Sequence, residues 1–286
     1  EYESLYYSGI VIMVLNIIGN HAENNGRIIW ADKLQTTMTE LDFDTFEKFY
    51  TWKSIKILNL RTYRRGYLPK DLILSILDLY EAKTSLKGIE GREVEYMVSK
   101  NMINSTFGMM VTNIVRDEEA YTDEWIERKI TEESTVSQLT GYNNDFNRFL
   151  FYGWGVYVTA HARHNLFSAI LEFGEDYVYC DTDSLKGLNF DRHQKYIREY
   201  NENVFLSLFD MCEHYGIDFN KCQPKTKKGI KKLIGVWDIE DSYAMFKTIG
   251  AKRYIYEYAS GSHKGELGLT CAGIDKKAAL KYLLEK

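Results

Sequence analysis

Hydrophobic and polar residues follow two different spacings along the chain, which predicts a mixture of strands and helices. The β-branched run Ile10–Ile18 lies between two glycines and is typical of a buried strand. The polar segment His21–Gly26 ends in Asn-Gly, a turn signal, so Arg27–Ala31 is predicted to return as the second strand of a hairpin. In Lys53–Tyr63, isoleucines alternate with polar residues, which predicts another strand.

Helical spacing of apolar residues is clearest after Pro69, a residue that favours the first turn of a helix. This helix should end near Gly88, and a second helix should run from about Arg92 to Phe107, so that a short loop joins the two into a helical hairpin. Further elements are predicted as a helix opened by Thr39–Asp42, a helix at Val156–Phe173, a strand pair at Tyr177–Leu188, a helix at Arg192–Tyr215, and strands with turns from Gly235 onward. Helices and strands alternate irregularly, so the sequence predicts an α+β fold.

Composition narrows the class of protein. Among 286 residues, 45% are hydrophobic and 27% are charged, which excludes a disordered chain. Four cysteines without a CxxC pair argue against a zinc site or a disulfide framework and favour a reducing compartment. The longest apolar run is too short to cross a bilayer, so no membrane partner is expected. The net charge of −5 leaves room for a local basic groove.

The sharpest chemical signal is Tyr-Cys-Asp-Thr-Asp-Ser at positions 179–184. A strand leads into Asp181 and Asp183, and a second strand leaves, so both aspartates are expected at the tip of a β-hairpin. Two neighbouring carboxylates repel each other unless a cation lies between them, and Mg²⁺ prefers such oxygen ligands. The alternative is a solvated turn, since Asp and Ser favour turns in any case.

A second signal lies on the helix that ends near Phe107. At about 100° per residue, Lys100, Asn104 and Phe107 share one side, where a cation, an amide and a ring would suit a nucleotide. The alternative is an amphipathic helix whose polar face is merely solvated. The opposite side is expected to be buried in the core and consists of Val94, Val98, Met102 and Met109.

A third signal is Lys252 and Tyr254, which would share one face of a strand. Together they could hold a nucleic-acid backbone, or they could form a plain exposed strand face. A basic run nearby is compatible with phosphate contact and equally with a solvated loop; it comprises Lys225, Lys227, Lys228, Lys231 and Lys232.

These signals occur in an order that resembles family B DNA polymerases. Residues 100–108 resemble the KxxxNSxYG motif, with Phe107 in place of the usual Tyr; residues 179–184 resemble YxDTDS, and residues 252–254 resemble KxY. The segments 158–163 and 270–273 also look like segments of the protein-primed enzymes of bacteriophages. The likeness runs from about Pro69 to Lys277 and implies a polymerase palm, a mainly antiparallel sheet with flanking helices, and a helical-hairpin fingers insertion.

The resemblance also implies roles for single residues. Asp183 would be a metal-binding catalytic carboxylate with Asp181 beside it, and Mg²⁺ would be the cofactor. The other implied roles are triphosphate contact for Lys100 and Lys83, the pocket of the nascent base pair for Asn104 and Phe107, and the primer end for Lys252 and Tyr254. Implied partners are a DNA primer-template, dNTPs and other phage replication proteins, in the cytoplasm of a bacterial host.

By the same resemblance, residues 1–66 would form the N-terminal part of the palm, 67–113 the fingers, 114–264 the rest of the palm, and 265–286 the start of a truncated thumb. The family carries a further aspartate in a DxxSLYP motif, whose only echo here is residues 1–7, with Glu in place of Asp. We therefore expect a fragment of a longer phage or prophage polymerase, which folds but has little activity by itself.

Two other functional interpretations stay open. The chain could be a catalytically incomplete module that binds nucleic acid or nucleotides without polymerising them. It could also be an unrelated Mg²⁺-dependent nucleotidyl transferase, which would explain Asp181 and Asp183 but not the helix that carries Lys100.

Overall fold

The computed structural model describes residues 2–4, 16–24, 27–62, 66–148 and 150–274, and these residues form an α+β fold with small antiparallel sheets. As far as Asn144 the elements are β1 (Tyr2–Ser4), β2 (Asn16–Asn24), β3 (Arg27–Gln35), α1 (Glu40–Phe49), β4 (Tyr50–Thr51), α2 (Lys70–Leu86), α3 (Glu93–Met110), β5 (Glu118–Tyr121), β6 (Trp125–Arg128) and α4 (Glu132–Asn144). The remaining elements are α5 (Tyr152–Phe173), β7 (Tyr177–Asp181), β8 (Ser184–Gly187), α6 (Phe190–Tyr215), β9 (Tyr243–Gly250), β10 (Arg253–Tyr258) and β11 (Leu267–Cys271).

The chain divides into two compact units. Unit 1 comprises Glu1–Arg163 and Met211–Ile234, and unit 2 comprises His164–Asp210 and Gly235–Lys286. Unit 1 contains a four-stranded sheet of order β2-β3-β1-β4, and unit 2 contains a three-stranded sheet of order β11-β10-β9 together with the separate pair β7-β8.

The β2-β3 hairpin confirms the strand pair predicted around Asn-Gly. Asn24 pairs with Arg27, and the antiparallel register continues to Asn16 opposite Gln35. The polar segment that begins at His21 was expected as a turn, but residues 21–24 belong to β2 because they pair with β3 through the hydrogen-bonded ladder. Most of the predicted strand Ile10–Ile18 lies outside the described residues, as do the flanks of the echo at residues 1–7.

The strand predicted over residues 53–63 is wrong for the part that is described. Residues 52–62 form no strand, and Ile57 and Leu60 are 69% and 75% exposed. Alternating apolar and polar residues form a strand only where the edge of a neighbouring strand pairs with their backbone N–H and C=O groups. Strand β4, which directly precedes this segment, ends at Thr51.

Helix α1 begins where the sequence predicts, for a local reason. The Thr39 hydroxyl accepts from the Asp42 N–H at 3.2 Å, and the Asp42 carboxylate accepts from the Thr39 N–H at 3.3 Å, which is a capping box. Arg163 of α5 also donates two hydrogen bonds to Asp42, at 2.7 and 3.0 Å. Partial burial raises the pKa of Asp42, but the Arg163 guanidinium and the Thr39 bonds outweigh burial and lower it.

Helices α2 and α3 pack together as the expected helical hairpin, but the predicted orientation of α3 is wrong. The side expected in the core is exposed: Val94 is 74% exposed and Val98 49% exposed, and Met102 and Met109 are likewise exposed. Instead Ser99 and Met110 are buried, and at about 100° per residue both lie less than a third of a turn from the centre of the apolar side. Met110 packs beside Gly155 of α5, where an added Cβ would lie 2.8 Å from the Met110 Cβ, so more than one neighbouring segment decides which part of α3 is buried.

The three-stranded meander of unit 2 carries a cluster of aromatic residues. In β10, Tyr256 pairs with Phe246 of β9 on one side and with Gly268 of β11 on the other. A Cβ atom at position 268 would lie 2.3 Å from the Tyr256 ring, so the ring can cover the strand only where glycine stands.

Among the described residues, no helix combines the length and apolar character that crossing a membrane requires.

Candidate functional site

Asp181 and Asp183 lie at the tip of the β7-β8 hairpin, as the sequence predicts. Asp181 pairs with Ser184, which leaves Thr182 and Asp183 as a two-residue loop. Thr182 adopts a φ of +53°, and the Asp183 N–H donates to the Asp181 carbonyl at 2.6 Å. The Ser184 hydroxyl donates to the same carbonyl at 3.1 Å. Short-range bonds therefore fix the backbone that carries both carboxylates.

Lys252 reaches this hairpin from a position 71 residues further along the chain. Its Nζ lies 2.9 Å from each oxygen of the Asp181 carboxylate. The expectation that Lys252 and Tyr254 alternate along one strand is wrong, because β10 begins at Arg253 and Lys252 lies in the preceding turn with a φ of +55°. The turn orients Lys252 toward Asp181, while Tyr254 stays on the strand.

The electrostatics of the pair follow from this geometry. Partial burial pushes the pKa of Asp181 upward, but the hydrogen bonds from Lys252 and Thr182 and the charges of Lys252 and Lys186 together lower it. The hydrogen bond to Asp181 in turn raises the pKa of Lys252. The structure therefore favours an ionised Asp181 paired with a charged Lys252.

Tyr179 has a structural role that the sequence did not predict. Its hydroxyl accepts a hydrogen bond from the Lys252 N–H at 2.9 Å, and its ring lies 5.1 Å from that of Tyr254 and 5.8 Å from that of Phe246. Tyr179 and Asp181 are two residues apart on β7 and share one face. The available signal was therefore the buried aromatic residue at i−2 from the first aspartate.

The aspartates match a hard cation in donor type. Asp183 is exposed, and its carboxylate has no hydrogen bond or ion pair within the described part of the chain. Asp181 is held by Lys252, so it would bind Mg²⁺ only by exchanging an ammonium for the metal. The described residues contain no cluster of three or more His, Cys, Asp or Glu side chains that could hold a metal. The hairpin tip thus carries two carboxylates, and that they hold Mg²⁺ stays a prediction.

The other predicted residues lie in unit 1 on the helical hairpin. Lys83, on α2, is half-buried, and its Nζ lies 6.0 Å from the centre of the Tyr80 ring. Lys100 and Asn104, on α3, are exposed, and Phe107 is half-buried. Exposed Lys100 and Asn104 fit the predicted solvent-facing side. That Lys83, Lys100 and Asn104 serve one nucleotide stays a prediction.

Two distant motifs, Tyr179–Ser184 and Lys252–Tyr254, thus meet in unit 2, and α2 and α3 carry the remaining candidates in unit 1. Comparison with known proteins adds no relative to this description. No family model matches the chain, and neither curated proteins nor solved structures show a significant match to it.

Proposed function

We propose that this chain takes part in template-directed DNA synthesis, as part of a longer phage or prophage polymerase. One observation supports the proposal most: Lys252 lies against Asp181, and Tyr254 packs on Tyr179 beside it. The resemblance to family B polymerases joins these two motifs in one active site, and their contact here comes from folding alone. Motifs that matched by chance would have no reason to meet across 71 residues.

In the proposed reaction, the primer 3′-hydroxyl oxygen attacks the α-phosphorus of a dNTP. The new P–O bond forms as the bond to the β-phosphate breaks, pyrophosphate leaves, and the hydroxyl proton passes to solvent. Bound Mg²⁺ supplies the positive charge that stabilises the attacking and leaving oxygens. Asp183 and Asp181 would hold it at the hairpin tip.

The chain's own side chains would position the substrates. Lys252 neutralises Asp181 while no cation is bound, which weakens the repulsion between the hairpin tip and the phosphates of DNA. Tyr254 presents a ring next to the hairpin, where it can pack against the primer end. On α3, Lys100 would bind the triphosphate, while Asn104 and Phe107 would contact the nascent base pair, with Lys83 as a second phosphate ligand.

A second candidate is a catalytically incomplete module that binds nucleic acid or nucleotides. The observation that favours it is the engagement of Asp181 with Lys252, together with the lack of a third carboxylate at the hairpin among the described residues. A two-carboxylate site paired with a lysine binds a cation less strongly than a site with three acidic ligands, because fewer charges offset the loss of hydration.

Primer extension separates these two candidates. A labelled primer on a longer template is incubated with Mg²⁺ and dNTPs, using the 286-residue chain and the full reading frame that contains it. We expect synthesis by the full product and little by the chain alone. Asp183→Asn should reduce the rate about 1,000-fold, since several kcal/mol of transition-state stabilisation are lost. Asp191→Asn, an exposed aspartate of unit 2, is the control with the same change in charge.

The outcomes are distinct. Synthesis that survives Asp183→Asn would overturn the catalytic assignment of the hairpin. DNA binding without synthesis in either form would favour the incomplete module, and neither binding nor synthesis would overturn both.

A further inference from the structure

A basic loop, defined here as residues 223–232, is the most strongly basic short segment of the described chain. Its sequence is QPKTKKGIKK, so half of its residues are lysines and none is acidic. The whole chain has a net charge of −5, so this density of positive charge is local and does not reflect a basic protein. The basic loop belongs to unit 1.

The basic loop is an ordered two-armed turn. Three backbone hydrogen bonds of 2.9 Å join its arms and flanks. The Thr226 N–H donates to the Ile230 carbonyl, the Lys232 N–H to the Pro224 carbonyl, and the Ile234 N–H to the Cys222 carbonyl. Gly229, with a φ of +77°, turns the chain at the tip. Cys222 and Pro224 are buried, so the first arm is anchored in unit 1. The lysines are therefore held on a defined backbone.

This backbone places like charges against each other. Lys225 and Lys231 are partners in an antiparallel bridge, which sets their side chains side by side. Like charges in directly opposite positions destabilise a strand pair. Both residues are exposed, as are Lys227 and Lys228 at the tip. Folding thus concentrates four cations on one small surface at a cost in electrostatic free energy.

None of these four lysines forms an ion pair with a carboxylate of the described residues. Lys227 donates to the carbonyl of Gly88 at 3.1 Å, and Lys231 donates to the Asn220 side chain at 3.2 Å, and both of these acceptors are neutral. Lys225 and Lys228 have no hydrogen bond or ion pair from their ammonium groups within the described residues. An anion with several charges would relieve the repulsion and satisfy the remaining N–H donors.

The basic loop is also fastened along α2. Lys221, just before the loop, pairs with Asp78 at 2.6 Å, and the Tyr80 hydroxyl donates to the Lys232 carbonyl at 3.2 Å. Together with the Lys227 bond to Gly88, these contacts run along α2 to the turn that leads into α3. The basic loop therefore lies along α2, the helix that also carries Lys83.

We propose that the basic loop binds the phosphate backbone of nucleic acid without reading its sequence. Lysines on an ordered backbone suit a regular row of phosphates, which are bound by releasing condensed counterions. An anionic membrane fits less well, because membrane-surface segments add exposed aromatic or leucine side chains to their basic ones. In the loop the exposed apolar residue is Ile230, at 54%. The inference deepens the proposed function, since it assigns a contact to the same DNA substrate.

The test uses the 286-residue chain and a labelled single-stranded DNA of mixed sequence. In one variant Lys225, Lys227, Lys228 and Lys231 are replaced by Gln. The matched control replaces four exposed lysines elsewhere, namely Lys48, Lys56, Lys195 and Lys264. Four lost charges take the net charge from −5 to −9 in both. Fluorescence anisotropy measures affinity from about 50 to 300 mM salt, a range over which counterion release dominates.

The plot of log K against log salt has a negative slope, and we expect this slope to become shallower by about 3 in the loop variant. Each phosphate contact contributes roughly 0.7 to the slope for a single strand, and four lysines are replaced. The control should keep the wild-type slope and affinity. Equal losses in the two variants, or an unchanged slope in the loop variant, would overturn the proposal. Binding of phosphatidylserine vesicles that depends on the loop, with DNA binding that does not, would instead assign it to a membrane surface.

A second variant keeps the test valid if the fourfold change impairs folding. Lys225→Gln alone removes one of the two opposed charges, so its melting temperature should equal or exceed that of the wild type. Its salt slope should still fall by about 0.7. An unchanged slope in this folded variant would overturn the proposal. This test measures DNA binding and not synthesis, so its outcome does not depend on whether the chain extends a primer.

Discussion

The β7-β8 hairpin and the α2-α3 helical hairpin both carry predicted site residues, but they hold them in different ways. At the β-hairpin, Asp181 accepts hydrogen bonds from Lys252 and from Thr182, and Tyr179 fixes the backbone of Lys252. On α3, the side chains of Lys100 and Asn104 are exposed and make no hydrogen bond or ion pair within the described residues.

The two hairpins differ in what pays the entropic cost of ordering the side chains of the site: contacts within the protein at one, and a bound ligand at the other. At the β-hairpin, long-range contacts within the protein have already ordered the side chains, so a ligand meets a prepared site at lower entropic cost. On α3, the helix orders the backbone only, and a ligand must order the side chains itself. We therefore expect the β-hairpin to govern the chemical step and the α2-α3 hairpin to govern nucleotide affinity.

The largest effect should come from opening a cavity at the buried face of α2. Leu77, on α2, is 4% exposed, so Leu77→Ala should lower the free energy of unfolding by about 2–5 kcal/mol through a cavity. The control Val98→Ala, on the exposed side of α3, should change it by less than about 0.5 kcal/mol. Urea denaturation followed by circular dichroism measures both. A cost for Val98→Ala as large as that for Leu77→Ala would show that the apolar side of α3 is buried after all.

The next largest effect is expected for Lys100→Ala, which should change nucleotide binding without changing DNA binding. Lys100→Ala should raise the KM for dNTPs about 10- to 100-fold, which corresponds to the roughly 1.5–3 kcal/mol of a hydrogen bond to a charged group. DNA affinity should stay within about twofold of the wild type. Steady-state extension by the full reading frame measures the first quantity and anisotropy the second.

Lys48→Ala, on the exposed side of α1, is the matched control and should leave both quantities unchanged. Equal losses of dNTP and DNA binding in Lys100→Ala would show that Lys100 is not a triphosphate ligand. The α2-α3 hairpin would then be a DNA-binding element.

The smallest effect concerns the Asp181–Lys252 pair. Because the folded pKa of Asp181 is lowered, the pair stabilises the fold above the ordinary carboxyl pKa of about 3.9. That contribution is lost as the pH falls through the lowered value. Lys252→Gln should therefore lower the melting temperature slightly at neutral pH, and the difference should vanish below the folded pKa. Lys247→Gln, on the exposed face of β9, is the control. A pH-independent difference would contradict the ion pair.

The candidate site could be predicted in part. Asp181 and Asp183 were placed at a hairpin tip because strand residues flank them and because Asp, Thr and Ser favour turns, which are signals contained in six consecutive residues. The pattern Lys252-Arg253-Tyr254 indicates Lys252 as a candidate, but it predicts a regular strand at that position. In the structure Lys252 lies in a turn with a φ of +55°, and its N–H donates to the Tyr179 hydroxyl, which lies 73 residues away in sequence.

By itself the sequence determined the elements whose causes lie within a few residues: the capping box of Thr39 and Asp42, the start of α2 after Pro69, and the β7-β8 turn. Only the tertiary structure decided which stripe of α3 is buried, that residues 53–62 form no strand, and that Lys252 turns toward Asp181. The physical reason is common to all three. Burial and strand pairing depend on which surface a distant segment supplies, and the local pattern of hydrophobic residues does not contain that information.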